Sequence, residues 1–214
     1  MIYRFNDVCS VYVNCRYSNR LIHKLSLKNK ESKNKVNLSK VKKAVYFAKK
    51  YHAKQRRKTG EPYYSHPLEV AYMVSDYLFR TDAIVTAILH DIIEDTALTK
   101  NIITREFGRK IADQVESLTR VKKDGKISST EIIEILLKQK KNDLLLIKLF
   151  DRLHNMQTVE AKSPEKALKT ILETSQSFLD LASYLKMSNL EQQLEEYCLN
   201  VTSNYLSLDA TMFR

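Results

Sequence analysis

Apolar residues recur along most of this chain at three- and four-residue intervals, the period of helices with one buried face. Val41, Ala44, Val45 and Ala48, followed by Tyr51 and His52, make one such stripe. It predicts a helix over 40–54, started at Asn37-Leu38-Ser39. The pattern predicts further helices over 67–79, 82–93, 99–107, 109–118, 130–141, 143–158, 164–185 and 189–199. Gly108 should end the 99–107 helix, Lys122 to Lys126 reads as a turn, and Ser163 with Pro164 reads as a capped helix start. Alternation of the strand type is faint and confined to 7–13, and residues 203–214 are expected to fray.

Two of these stripes are interrupted by polar clusters. The run Ala83, Ile84, Val85, Ala87, Ile88 and Leu89 leads into His90-Asp91 and then Glu94-Asp95. On a helix, Asp91, Glu94 and Asp95 share one face, and three carboxylates packed that way repel one another. A bound cation with a histidine ligand would relieve the repulsion, and an exposed acidic helix end is the plain alternative. The second interruption is Asp151-Arg152 and Asn155, after the apolar run 144–150. Asp151 and Asn155 are one turn apart, and Asp151 is placed to deliver a further ligand. A capped helix end with a surface ion pair is the alternative there.

Composition narrows the fold. Of 214 residues only three are Gly and three Pro, too little punctuation for sandwiches, barrels or doubly wound sheets. Gly60, Gly108 and Gly125 stand far apart, so no glycine-rich phosphate loop exists. The expectation is an all-α protein, one helical domain over 38–202, with a basic extension over 1–37 and a tail over 203–214. Three cysteines without metal-ligand spacing fit a reducing compartment. No apolar run approaches the roughly 20 residues of a membrane span, and charges break up the N-terminus, so no membrane contact and a cytoplasmic location are expected.

The net charge of +11 is concentrated in residues 1–50, and the remainder is balanced at 23 basic against 23 acidic residues. The basic excess therefore belongs to the extension and first helix. A flexible tail is one reading of 1–37. A polybasic contact to nucleic acid, ribosome or anionic lipid is another. The loop from Gln55 to Pro67 collects Arg56, Arg57, Lys58 and Thr59 ahead of Gly60 and His66. Guanidinium groups fork onto phosphates and stack on bases, which suits a nucleotide, although an ordinary basic turn has the same composition.

Together, His66, His90, Asp91 and Asp151 make a nitrogen and oxygen donor set suited to Mn, Fe, Zn or Mg-type ions. Glu94 and Asp95 lie a turn further on, free to take a proton from water. The combination reads as metal-dependent hydrolysis of a phosphorylated nucleotide.

In the order His…His-Asp…Asp, the chain resembles HD-type phosphohydrolases. More specifically, from about residue 41 to 199 it resembles the hydrolase domain of Rel/Spo-type (p)ppGpp enzymes and the small alarmone hydrolases. The strings that carry this are Arg57-Lys58-Thr59-Gly60-Glu61-Pro62-Tyr63, Ser65-His66-Pro67, Leu89-His90-Asp91-Ile92-Ile93-Glu94-Asp95-Thr96, Ile147-Lys148-Leu149-Phe150-Asp151-Arg152-Leu153-His154-Asn155-Met156 and Glu173-Thr174. The resemblance implies removal of the 3′-diphosphate from guanosine tetra- or pentaphosphate, with Mn²⁺ or another divalent ion, giving GDP or GTP and pyrophosphate. It implies His66, His90, Asp91 and Asp151 as ligands and Glu94 with Asp95 as the catalytic acidic pair. Arg57, Lys58 and Thr59 would hold the guanine side, Asn155 and Thr158 would face ribose and phosphates, and Lys166 a phosphate. Arg152 would support Asp151 or contact phosphate.

Three departures stand out. The 119–151 stretch is shorter than in the long bifunctional enzymes. Phe150 stands where the family usually has Ala. Nothing after Leu199 resembles a synthetase domain, which implies hydrolysis without synthesis. The alternatives are a broader HD-type nucleotidase and a non-catalytic alarmone-binding remnant of a split bifunctional enzyme.

Overall fold

The computed structural model describes residues 14–122 and 125–212. It divides into two compact units, Met1–Ile127 and Ser128–Arg214.

In the first unit the helices are α1 (Arg16–Glu31), α2 (Leu38–Tyr51), α3 (Ser65–Val74), α4 (Thr81–Leu89), the single turn α5 (Ile92–Asp95), α6 (Lys100–Phe107) and α7 (Arg109–Leu118). A short antiparallel pair follows, β1 (Val121–Lys122) with β2 (Gly125–Lys126), where a simple turn was expected. This pair aside, the described residues are helical or loop, so the all-α expectation holds. Helix α4 touches α2, α3 and α7, which explains why every residue from Ala83 to Leu89 is buried. The one polar side chain in that run, Thr86, donates to Gln114 Oε1 at 2.8 Å, so its hydroxyl is not buried unsatisfied. Asn37 caps α2 by accepting from the Lys40 amide at 2.9 Å. Between α6 and α7, Gly108 sits at φ 92°, a backbone state that favours glycine.

The 1–37 expectation needs correcting. Residues 16–31 are a helix that buries Leu21 and Leu25 completely. The sequence conceals it because its apolar positions are sparse and its lysines find acidic partners far along the chain. The strand-like alternation at 7–13 lies outside the described residues. Helix 82–93 is also not continuous: α4 ends at Leu89, and His90 and Asp91 form a turn before α5.

The second unit comprises α8 (Ser129–Lys138), α9 (Asn142–Met156), α10 (Pro164–Glu173), α11 (Leu179–Tyr184) and α12 (Ser188–Met212). A capping box opens α8: Ser128 accepts from the Glu131 amide and Glu131 accepts from the Ser128 amide. Helix α9 is buried from Leu144 through His154, Phe150 included, and packs on α8 and α12. The predicted helix 164–185 is interrupted by a π turn at Thr174–Phe178. Instead of ending at 199, α12 continues to Met212, through most of the stretch expected to fray.

Candidate metal centre

His66 lies in the first turn of α3, where the backbone dipole disfavours a charged imidazole. His90 and Asp91 occupy the break between α4 and α5. The break lets the His90 ring fold back: its Nδ1 donates to the Ala87 carbonyl at 2.8 Å. In the neutral ring this bond puts the proton on Nδ1 and leaves the Nε2 lone pair for a metal. His90 Nε2 lies 3.1 Å from Asp91 Oδ1, and His66 Nε2 lies 3.5 Å from Asp91 Oδ2. The two rings meet edge to face at 5.3 Å, and both histidines are buried. Two buried imidazoles converging on one carboxylate are a fitting donor set for a divalent cation.

A second layer braces this trio. Tyr63 OH approaches Asp95 Oδ2 at 2.5 Å and Asp91 Oδ2 at 3.1 Å. The Tyr63 ring stacks on His52 at 4.8 Å. His52 Nδ1 donates to Gln55 Oε1 at 2.6 Å, and Gln55 Nε2 donates to the Asp95 carbonyl at 2.6 Å. Burial holds the His52 pKa below its usual value, so the ring is neutral at neutral pH. None of these three residues was singled out from sequence. Tyr63 lies inside a quoted string, but its hydroxyl partners are about thirty residues away.

Glu94 and Asp95 differ in setting. Asp95 is exposed overall, yet its carboxyl group is partly desolvated; that and the Asp91 charge raise its pKa against the lowering effect of the Tyr63 hydrogen bond. Burial also pushes Glu94 up, but its cationic partners outweigh this and its pKa is lowered. Arg120 Nη2 lies at 2.7 Å, Arg120 Nε at 3.0 Å, the Arg120 amide at 3.2 Å and Lys126 Nζ at 2.8 Å.

The basic loop closes on itself. Arg57 N donates to the Glu61 carbonyl and Gly60 N to the Arg57 carbonyl, both at 2.9 Å, with Gly60 at φ 85°. Arg57 is half-buried, and Lys58 and Thr59 are exposed.

In the second unit Asp151 is buried on α9. Lys148 Nζ donates to its Oδ2 at 2.9 Å and Asn155 Nδ2 to its Oδ1 at 2.7 Å. The buried Lys148 was missed because it reads as part of an apolar run. Arg152 is committed within its own unit: it pairs with Glu173 at 2.9 Å, donates to the Thr170 carbonyl at 3.2 Å and lies over the Phe178 ring at 4.1 Å. Thr158 is half-buried near the end of α9, and Lys166 is exposed on α10. As ligand types, His66, His90 and Asp151 suit a divalent ion.

Two histidines and an adjacent aspartate set among helices define an HD-type domain. A family model described as an HD domain matches residues 44–187, and the chain belongs to that family. Among curated proteins, the GTP pyrophosphokinase rsh of Brucella ovis is 38% identical over 181 residues, covering 82% of this chain and 24% of the relative. The probable guanosine-3′,5′-bis(diphosphate) 3′-pyrophosphohydrolase of Synechocystis sp. is 38% identical over 159 residues, covering 72% of this chain and 21% of the relative. The chain thus spans about a quarter of the length of the curated relatives it matches. A solved structure described as a metazoan ortholog of SpoT that hydrolyzes ppGpp has a TM-score of 0.60 at 23% identity, covering 74% of this chain and 93% of that one, a likeness of fold. The Rel/Spo resemblance read from the motifs stands. No described helix is long and apolar enough to cross a membrane.

Proposed function

We propose that these residues carry out metal-dependent removal of the 3′-diphosphate from ppGpp or pppGpp, releasing pyrophosphate and GDP or GTP. Hydrolysis is the one activity assigned to them, and manganese is the first choice of ion. The observation that carries the reading is the His90 tautomer: with Nδ1 committed to the Ala87 carbonyl, Nε2 is directed at Asp91 beside His66. The names of the Synechocystis relative and of the metazoan structure support the choice of substrate.

His66, His90, Asp91 and Asp151 hold the ion. When bound, it supplies Lewis acidity towards phosphoryl oxygen and water. Asp95, steadied by Tyr63, accepts the proton of the attacking water, and Glu94 anchors the 120–126 segment beside it. Lys148 and Asn155 hold the Asp151 carboxylate in place. Arg57, Lys58 and Thr59 receive the guanine side of the nucleotide. Asn155 and Thr158 face ribose and phosphates, and Lys166 meets a phosphate. Arg152, clamped by Glu173 and Phe178, supports the helix that carries Asp151.

The test is incubation of purified protein with labelled ppGpp and Mn²⁺, beside Asp91→Ala and a chelator-treated sample. Pyrophosphate release by the wild type alone is expected. Binding without turnover favours the alarmone-binding remnant, and equal turnover of ordinary mononucleotides favours a broader nucleotidase.

A further inference from the structure

Helix α1 lies outside the stretch matched by the HD family model, yet it is firmly seated in the first unit. Leu21 and Leu25 are fully buried. Lys24 Nζ donates to the Tyr72 carbonyl at 2.8 Å and to Asp76 at 2.6 Å. Lys28 Nζ reaches the Ser75 carbonyl at 2.8 Å and Asp76 at 3.0 Å, and Arg20 pairs with Glu69 at 2.5 Å. These anchors fall on α3 and the turn after it. They fix the body of α1 without help from its first turn.

That first turn reaches elsewhere. Arg16 Nη2 and Tyr17 OH both donate to Glu61 Oε1, at 2.7 and 2.6 Å. Glu61 closes the basic loop: its carbonyl accepts from Arg57 N, and Arg56 forms a bridge with Pro62 across the loop. Arg56 Nη1 also donates to the Gly60 carbonyl at 2.9 Å. The side chain of one loop residue is thus tied to an added helix, and its main chain sets the loop's closure.

We propose that Arg16, Tyr17 and Glu61 form a brace by which α1 fixes loop 56–61, making Glu61 a positioning residue for nucleotide binding. This rests on the reading of Arg57, Lys58 and Thr59 as substrate contacts. A loop ordered beforehand loses less conformational entropy when ligand arrives, so the brace acts on binding and not on the chemical step. Arg16 is 74% exposed, and its ion pair is screened by water. The half-buried Tyr17 hydroxyl, donating to a carboxylate, is the stronger strut.

The experiment uses the full chain with Tyr17→Phe, Glu61→Ala and Glu61→Gln. The last keeps an oxygen for Tyr17 to donate to. Amide hydrogen exchange at Arg57 and Gly60 should speed up about three- to tenfold in Tyr17→Phe and Glu61→Ala, the size expected for one ordinary net hydrogen bond. KM for ppGpp should rise by a similar factor, with kcat within about twofold. Glu61→Gln should restore most of both. The melting temperature should change little, because the buried seat of α1 is untouched. Unchanged exchange in both damaging variants overturns the brace. Faster exchange with unchanged KM overturns the positioning role. Faster exchange in a protein whose wild type does not hydrolyse ppGpp upholds the brace and removes the proposed function instead.

Discussion

Glu94 and Asp95 are adjacent in sequence, yet they face surroundings of opposite character. On one side, residues 52–63 present Asp95 with a tyrosine hydroxyl, a neutral histidine and a glutamine amide, all uncharged. On the other, residues 120–126 present Glu94 with a guanidinium and an ammonium. Burial and the Asp91 charge raise the Asp95 pKa despite the Tyr63 hydrogen bond, whereas the cations around Glu94 outweigh its burial and lower its pKa. Where neighbouring acids are pushed apart in this way, their tasks divide. In the proposed reading Asp95 exchanges the proton, and Glu94 remains an anion that holds residues 120–126. The resemblance treats the two as one acidic pair; the proposed reading gives them separate tasks.

The hardest test of this contrast is Asp95→Asn. Loss of a general base is expected to lower kcat about 10²- to 10⁴-fold, with metal binding retained by calorimetry. An enzyme that keeps most of its rate would reverse the assignment. Tyr63→Phe removes the hydroxyl that steadies Asp95 and should cost about tenfold in kcat, with little change in metal affinity. Glu94→Gln should cost less in kcat than Asp95→Asn, and its second effect is on stability. Because the folded-state pKa of Glu94 is lowered, its stabilising contribution is complete above the ordinary carboxylate range of about 4.3 and is lost as pH falls through the lower folded value. Melting temperatures between pH 3 and 7 should therefore fall less steeply on acidification in Glu94→Gln than in the wild type. The mildest change is Lys126→Met. Its ammonium is largely exposed, so the expected cost is under about 1 kcal/mol of stability by denaturant titration.

Helical periodicity alone locates most of the elements. The prediction for 109–118 coincides with α7, because strong amphipathicity is followed by Thr119, whose backbone turns extended. The ligand candidates were legible for the same local reason: polar residues inside apolar runs are conspicuous. What escaped notice depends on distant partners. Helix α1 carries only a few apolar positions, and its lysines are satisfied by Asp76, about fifty residues on. The support of Asp95 by Tyr63 and of Glu94 by Arg120 joins segments 26 to 32 residues apart, which no window of sequence displays. The break at His90 is hidden because the apolar spacing runs straight through it.

That break sets local and global preferences against each other. Ala83 to Leu89 followed by Ile92 would extend smoothly as one helix, and only the demands of His90 and Asp91 interrupt it. Such a site is locally frustrated: the chain would gain order by healing the interruption. Asp91→Ala relieves a crowded carboxylate and adds a strong helix former, so the domain should become harder to unfold while losing the proposed activity. Random mutation selected for robustness alone would drift towards a longer helix and an inert protein.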